Sequence, residues 1–201
     1  MKKNVLLLAV MVSVIVLRAQ DASLVWSSLT MSWFGVDFTK TKVLGLEDSP
    51  HKIRDEYFKP WNDVTIDMDL TKMFGKNAVY KDPNGITKEN LARETESMNT
   101  GAEVEFTDEN IADRVKQLST GSKKAGLGLI FIAESVNKAT GNAVFHVTFF
   151  DIASRKVVWH KKMTGKAAGS NPKTAWGGAV KDVFSQIDKK EWKAWRKEAN
   201  Y

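Results

Sequence analysis

The 201-residue sequence contains no cysteine. That excludes disulfide stapling, thiol catalysis and thiolate metal sites, and also lipid anchoring at a cysteine behind a cleaved leader. The chain must hold itself together with a packed core. Beyond its first twenty residues it also lacks any apolar run long enough to read as a bilayer span, and it shows no internal repeat or low-complexity stretch. About 180 residues remain, enough for one ordinary domain. Nucleophile and phosphate motifs are missing too: there is no G-x-S-x-G, no P-loop and no H-E-x-x-H. "GLGLIF" lacks the spacing of a dinucleotide loop and leads into a strand. "KDPNG" puts Gly85 fourth from Asp82, where a calcium loop needs glycine sixth and a closing acid twelfth, so it reads as a polar turn.

The first twenty residues have their own logic. Lys2 and Lys3 form a basic start, Val5 to Leu17 an apolar stretch too short for a comfortable span, and Leu17 and Ala19 stand at −3 and −1 before Gln20. This is the pattern of a secretory signal peptide over residues 1–20, leaving 21–201 as one domain with a periplasmic or secreted location. The formal charge of +6 falls by three, to +3, once Lys2, Lys3 and Arg18 are set aside, since no acid leaves with them. The basicity is largely a targeting feature and carries no nucleic-acid reading.

Along the remaining chain the pattern is strand, helix, short strands, helix, three-strand meander, helix. A strand is expected over about 29–38, with Leu29, Met31, Trp33, Gly35 and Asp37 on one face and Thr30, Ser32, Phe34, Val36 and Phe38 on the other. Ser49 and Pro50 open a helix whose stripe is Ile53, Tyr57, Phe58 and Trp61, with a break or kink expected near Pro60. "VTIDMDL" fits either a strand or a helix. "AVYKDPNG" predicts a strand running into a turn at 82–85, and "AEVEF" a second short strand. Thr107 caps a helix carrying Ile111, Val115 and Leu118. "GLGLIFIAESV", "NAVFHVTFFDI" and "KVVWHKKMTG" are three strands joined by short hairpin loops. The simplest register sets Phe149 against Val157 and Val147 against Trp159, with all four and Phe145 on one core face. A helix bearing Trp176, Val180, Val183, Phe184 and Ile187 starts near Asn171 or Pro172; its Gly177 and Gly178 imply close approach to another backbone. The fold class is α/β in the sense of an α+β sandwich: a mixed, mostly antiparallel sheet ending in a three-strand meander, with helices packed on it.

Six residues stand out as candidates. Asp37 is an acid in the apolar run "WFGVDF". Catalysis would need a partner such as Asp63, Asp67 or Asp69; the preferred reading is a strand-end carboxylate satisfied by a basic side chain or the N–H groups of "FTKT". Trp33 shares its expected face and is a binding candidate with it. His146 and His160 face each other in the register above and would bind zinc or copper given a third ligand, but His51 is distant and Lys161 and Lys162 disfavour a cation. The expectation is therefore two half-exposed sheet residues, with no cofactor. Trp192 and Trp195 in "KKEWKAWRK" either dock peripherally on an anionic membrane or polysaccharide, or finish the core with the lysines solvated; the second is preferred.

"WFGVDFTKTKVLG" together with "YFKPWN" resembles a family of small secreted proteins of unknown function from Bacteroidetes. In style, the stretch from "FDIASRKVVWHKKMTG" to "AAGSNPKTAW" is similar to the TolB amino-terminal domain and related envelope lipoproteins, from which the missing cysteine departs. The resemblance implies a periplasmic α/β module that binds or assembles with an envelope protein or polysaccharide and catalyses nothing. The alternatives are a hydrolase or metal-dependent enzyme of unrecognised type, which needs carboxylates or the histidine pair to line a cleft, and a small-ligand binder, which needs an apolar pocket.

Overall fold

Strands rich in β-branched and aromatic residues set the frame. The computed structural model describes residues 22–99, 101 and 104–201, so the expected leader and part of "AEVEF" lie outside the described residues. Six strands form one sheet: β1 (Thr30–Asp37), β2 (Lys42–Leu44), β3 (Ala78–Lys81), β4 (Leu127–Asn137), β5 (Asn142–Asp151) and β6 (Lys156–Lys166). Their order is β3-β1-β4-β5-β6, with β2 pairing with β4 beyond the end of β1. The short pairings of β1 with β3, β1 with β4 and β2 with β4 are parallel; the long β4–β5 and β5–β6 ladders are antiparallel. The fold is thus α+β, with a mixed, mostly antiparallel sheet and helices packed on it. Central β4 is buried on both sides, as its unbroken apolar run "LGLIFIA" requires.

Helix α1 opens as Pro50–Lys52, widens into a π turn at Ile53–Tyr57 and closes as Phe58–Asp63. Ser49 Oγ caps it by accepting from the Lys52 N–H at 3.2 Å. Pro60 has no N–H to return to the preceding turn, and the wide turn just ahead of it absorbs the missing bond. Then come α2 (Leu70–Met73), α3 (Asn84–Ala92), α4 (Asp108–Gln117) and α5 (Pro172–Gln186), which runs through a second π turn (Ile187–Glu191) into α6 (Trp192–Glu198). Helices α1 and α5 cover the larger face of the sheet. There Trp33, Phe131 and Phe184 pack with ring centroids 4.5–5.4 Å apart, joined by Phe38, Phe58, Trp61, Phe145, Val147 and Phe149. Gly177 and Gly178 let α5 come close: a Cβ would sit 2.7 Å from Val64 Cγ1 at the first and 2.2 Å from the Ala168 carbonyl oxygen at the second. Helices α3 and α4 cover the smaller face, burying Phe34, Ile86, Ile111, Val115, Ile130, Ile132 and Phe150.

One break in β1 decides what its end presents. Gly35 has φ +102°, and the β1–β4 register slips between Trp33 and Val36. Past this bulge the alternation reverses. Val36 and Phe38 join Trp33 on the larger face, while Asp37 turns with Phe34 towards the smaller one. The expected shared face of Asp37 and Trp33 is therefore corrected: they point to opposite sides. Strand β3 has left by this point, and side chains replace it. Asn62 Oδ1 accepts the Val36 N–H at 2.9 Å, Asn90 brackets Val36 O and Phe38 N at 2.8 and 2.7 Å, and Arg93 Nη1 donates to the Phe38 and Thr41 carbonyls.

Other expectations shift locally. A bulge between Phe149 and Phe150 moves the β5–β6 register, so Phe149 pairs with Trp159, Val147 with Lys161 and Thr148 with His160. Val157 packs on the smaller face instead, and Trp159 is half-buried against the larger core. "VTIDMDL" is turns leading into α2, capped by Asp69; the stretch 82–85 begins helix α3; 104–106 forms no strand; and β2 was not anticipated.

Candidate functional site

Helix α4 starts from a capping box. Thr107 Oγ1 accepts the Asn110 N–H at 3.3 Å, and Asn110 Oδ1 accepts the Thr107 N–H at 3.0 Å. Its stripe of Ile111, Val115 and Leu118 lies on the smaller face, and Arg114 sits on that same stripe, 8% exposed. Apolar spacing thus carries a guanidinium into the protein, where it must be paired. Its Nε donates to Asp37 Oδ2 and its Nη2 to Glu89 Oε2 from α3. Asp37, 1% exposed, also accepts the Thr39 N–H at 2.8 Å. Burial alone would lower the Arg114 pKa, but the two carboxylates outweigh it and hold the group above its ordinary value. Arg93, beside Asp37, is pushed down to about 10 by burial. Glu89 continues outward, accepting the Ser119 N–H at 2.9 Å. Sheet, α3 and α4 are thereby tied at one point.

Above this triad lies an open cleft of about 300 Å³. Ile132, Phe106 and Val104 give it apolar walls; Arg114, Asn110, Asp113 and Gln117 come from α4; Lys40, Lys42 and Ser97 close the other side. Lys42 Nζ donates to the Ser97 carbonyl at 2.6 Å, and Asp113 pairs with Lys116 at 2.8 Å.

Phe106 separates the cleft from a second polar cluster. Glu134 Oε2 accepts the Phe106 N–H at 2.8 Å and lies 2.9 Å from His146 Nε2; Lys162 meets Glu134 Oε1 at 3.0 Å. The Phe106 ring stacks on the His146 ring, centroids 5.9 Å apart. Burial works against the Glu134 charge, but the bonds from His146, Phe106 and Lys162 outweigh it and hold the carboxyl below its ordinary value. His146 Nδ1 is buried with no hydrogen-bond partner among the described residues.

The structure separates the residues singled out by sequence. Asp37 stands at the triad. Trp33 is fully buried in the larger core, its Nε1 donating to Thr65 Oγ1 at 3.0 Å. Trp195 is buried, and Trp192 is half-buried against Trp26 and Phe74 at centroid distances of 4.6 and 5.0 Å, with Lys189, Lys190, Lys193 and Lys197 exposed around them. His146 and His160 are offset along the hairpin rather than directly opposed. Their rings are 6.1 Å apart and serve different carboxylates, Glu134 and Asp108. Among the described residues no group of three or more His, Cys, Asp or Glu side chains is placed to hold a metal ion. Sequence reading passed over Arg114, Glu89 and Glu134. Two left a signal: Arg114 is a charge on an apolar helical stripe, and Glu134 an acid inside an apolar strand, as Asp37 is. Lys40 and Lys42 left none.

No protein-family model, curated protein or solved structure matches the chain.

Proposed function

We propose that this chain is a non-catalytic binding module of the cell envelope, and that the cleft over Arg114 is where it takes its partner or ligand. The observation that carries the reading is the construction of the cleft. An ion-pair triad, buried at Asp37 and Arg114 and half-buried at Glu89, fixes its floor to three elements, apolar walls rise beside it, and lysines stand at the rim. Such a site is preorganised for binding, its apolar walls standing beside a row of polar and charged side chains. Its acids favour binding over proton transfer. Asp37 and Glu89 are both committed to Arg114 and Asp113 to Lys116, while the Glu134–His146 pair lies behind Phe106. The envelope location rests on the leader pattern of residues 1–20.

The test is affinity purification from native envelopes with the unmodified protein and with Gln117→Trp, which puts a large ring into the cleft from an exposed position. A partner or ligand retained by the first and lost from the second, at equal melting temperature, is the expected result. Equal recovery by both would move the binding surface elsewhere.

A further inference from the structure

We infer that the ligand of this cleft is a monocarboxylate on a small apolar or aromatic body, either a free acid or the C-terminal residue of a peptide; this rests on the cleft being the binding site. The charges around the cleft do not balance. Asp37 and Glu89 share Arg114, with the second positive charge coming from Arg93 beside Asp37, and Asp113 pairs with Lys116. Lys40 has no acidic partner among the described residues, and Lys42 bonds only the neutral Ser97 carbonyl. Two ammonium groups therefore face the cleft without counter-ions among the described residues. Arg114 adds a donor: Nε and Nη2 are engaged, but Nη1 makes no hydrogen bond among the described residues. An entering anion would gain charge-assisted bonds of the kind Lys and Arg make to carboxylates.

Three further features narrow the class. The walls of Val104, Phe106 and Ile132 favour carbon over a sugar or a bare inorganic ion. Asp113 on the lining, with Asp37 and Glu89 behind Arg114, opposes a second negative charge. A volume of about 300 Å³ lies at the small end of ligand sites, enough for one side chain or a short acid but not for a long lipid.

Calorimetry on the purified protein tests this with matched pairs: 4-phenylbutyrate against 4-phenylbutyramide, and a pentapeptide ending in phenylalanine with a free against an amidated C-terminus. The carboxylate of at least one pair should bind, its amide at least about tenfold more weakly. Lys40→Gln/Lys42→Gln should lose affinity by a similar factor, and added salt should weaken binding. Whichever carboxylate binds more tightly identifies the source. Equal binding of acid and amide, or full affinity in the double lysine variant, overturns the inference. So does failure of both carboxylates at millimolar concentration. In that last case the Gln117→Trp purification separates the two failures: a partner lost from Gln117→Trp keeps the cleft and rejects only the ligand class, while a partner retained rejects the cleft as well.

Discussion

The two faces of the sheet solve burial differently. Under α1 and α5 the sheet meets aromatic rings packed on one another, and polar groups there bond locally, as Trp33 does to Thr65 and Lys76 to two backbone carbonyls. Under α3 and α4 the apolar layer is thinner and ends in charge: Asp37, Arg114 and Glu89 at one point, Glu134, His146 and Lys162 at another. Ring packing dominates the first face, and its buried Lys76 ammonium is held by backbone carbonyls rather than by an opposite charge. The second trades apolar area for paired charges, and a buried pair rarely improves stability over a well-packed hydrophobic substitute. The charges are better understood as positioning devices. They fix α4, Phe106 and the end of β1 around an opening that a fully apolar face would have closed.

The largest effect should come from the aromatic face. Phe131 is fully buried between Trp33 and Phe184, so Phe131→Ala should cost about 3–5 kcal/mol in chemical denaturation. A loss below about 1 kcal/mol would mean this core can collapse around a hole. Asp37→Asn should cost less, about 1–3 kcal/mol, because Arg114 keeps Glu89 and the amide still accepts from Thr39. Ligand binding should weaken along with stability, since the triad sets the cleft floor. If Asp37→Asn keeps full stability yet abolishes binding, the carboxylate itself contacts the ligand.

The two faces also differ in how their stability responds to pH. Glu134 is held below its ordinary value of 4.5 in the folded protein. The stability it contributes is present above the unfolded-state value and lost as pH falls through the folded one. Below about pH 4.5 the smaller face should therefore loosen first, with amides near Phe106 exchanging before those of α5, and Glu134→Gln should flatten that acid limb. On the other face Lys76 is buried, its Nζ donating to the Val25 and Ser28 carbonyls at 2.6 and 2.7 Å, and burial lowers its pKa from 10.5 to about 8. Between these values the unfolded chain holds the extra proton, so stability should rise as pH climbs from about 8 to 10.5. Lys76→Met should remove this rise. An unchanged alkaline limb in Lys76→Met would assign the rise to another group.

How far the sequence foretold this follows from what repeats and what does not. The meander strands, the α4 cap at Thr107 and the α5 stripe show in the sequence because periodicity is spread over many residues. The face that Asp37 presents does not show, because one residue, Gly35, slips the alternation and inverts everything after it. The β5–β6 register failed in the same way at Phe149–Phe150. Helix α3 hid behind "DPNG", a turn by composition that here becomes a first helical turn. The cleft drew on segments from Lys40 to Ile132, which only the folded sheet brings together. Arg114 and Glu134 were nevertheless readable as charges on apolar faces, the same anomaly that drew attention to Asp37.

The division of labour between the faces is tested most directly by backbone amide shifts in a ¹⁵N-labelled sample titrated with 4-phenylbutyrate. Shifts should concentrate at Lys40, Lys42, Asn110, Arg114 and Gln117, fade across the sheet, and vanish in Gln117→Trp. Shifts centred instead on β6, Trp192 and Trp195, or spread evenly over both faces, would contradict it.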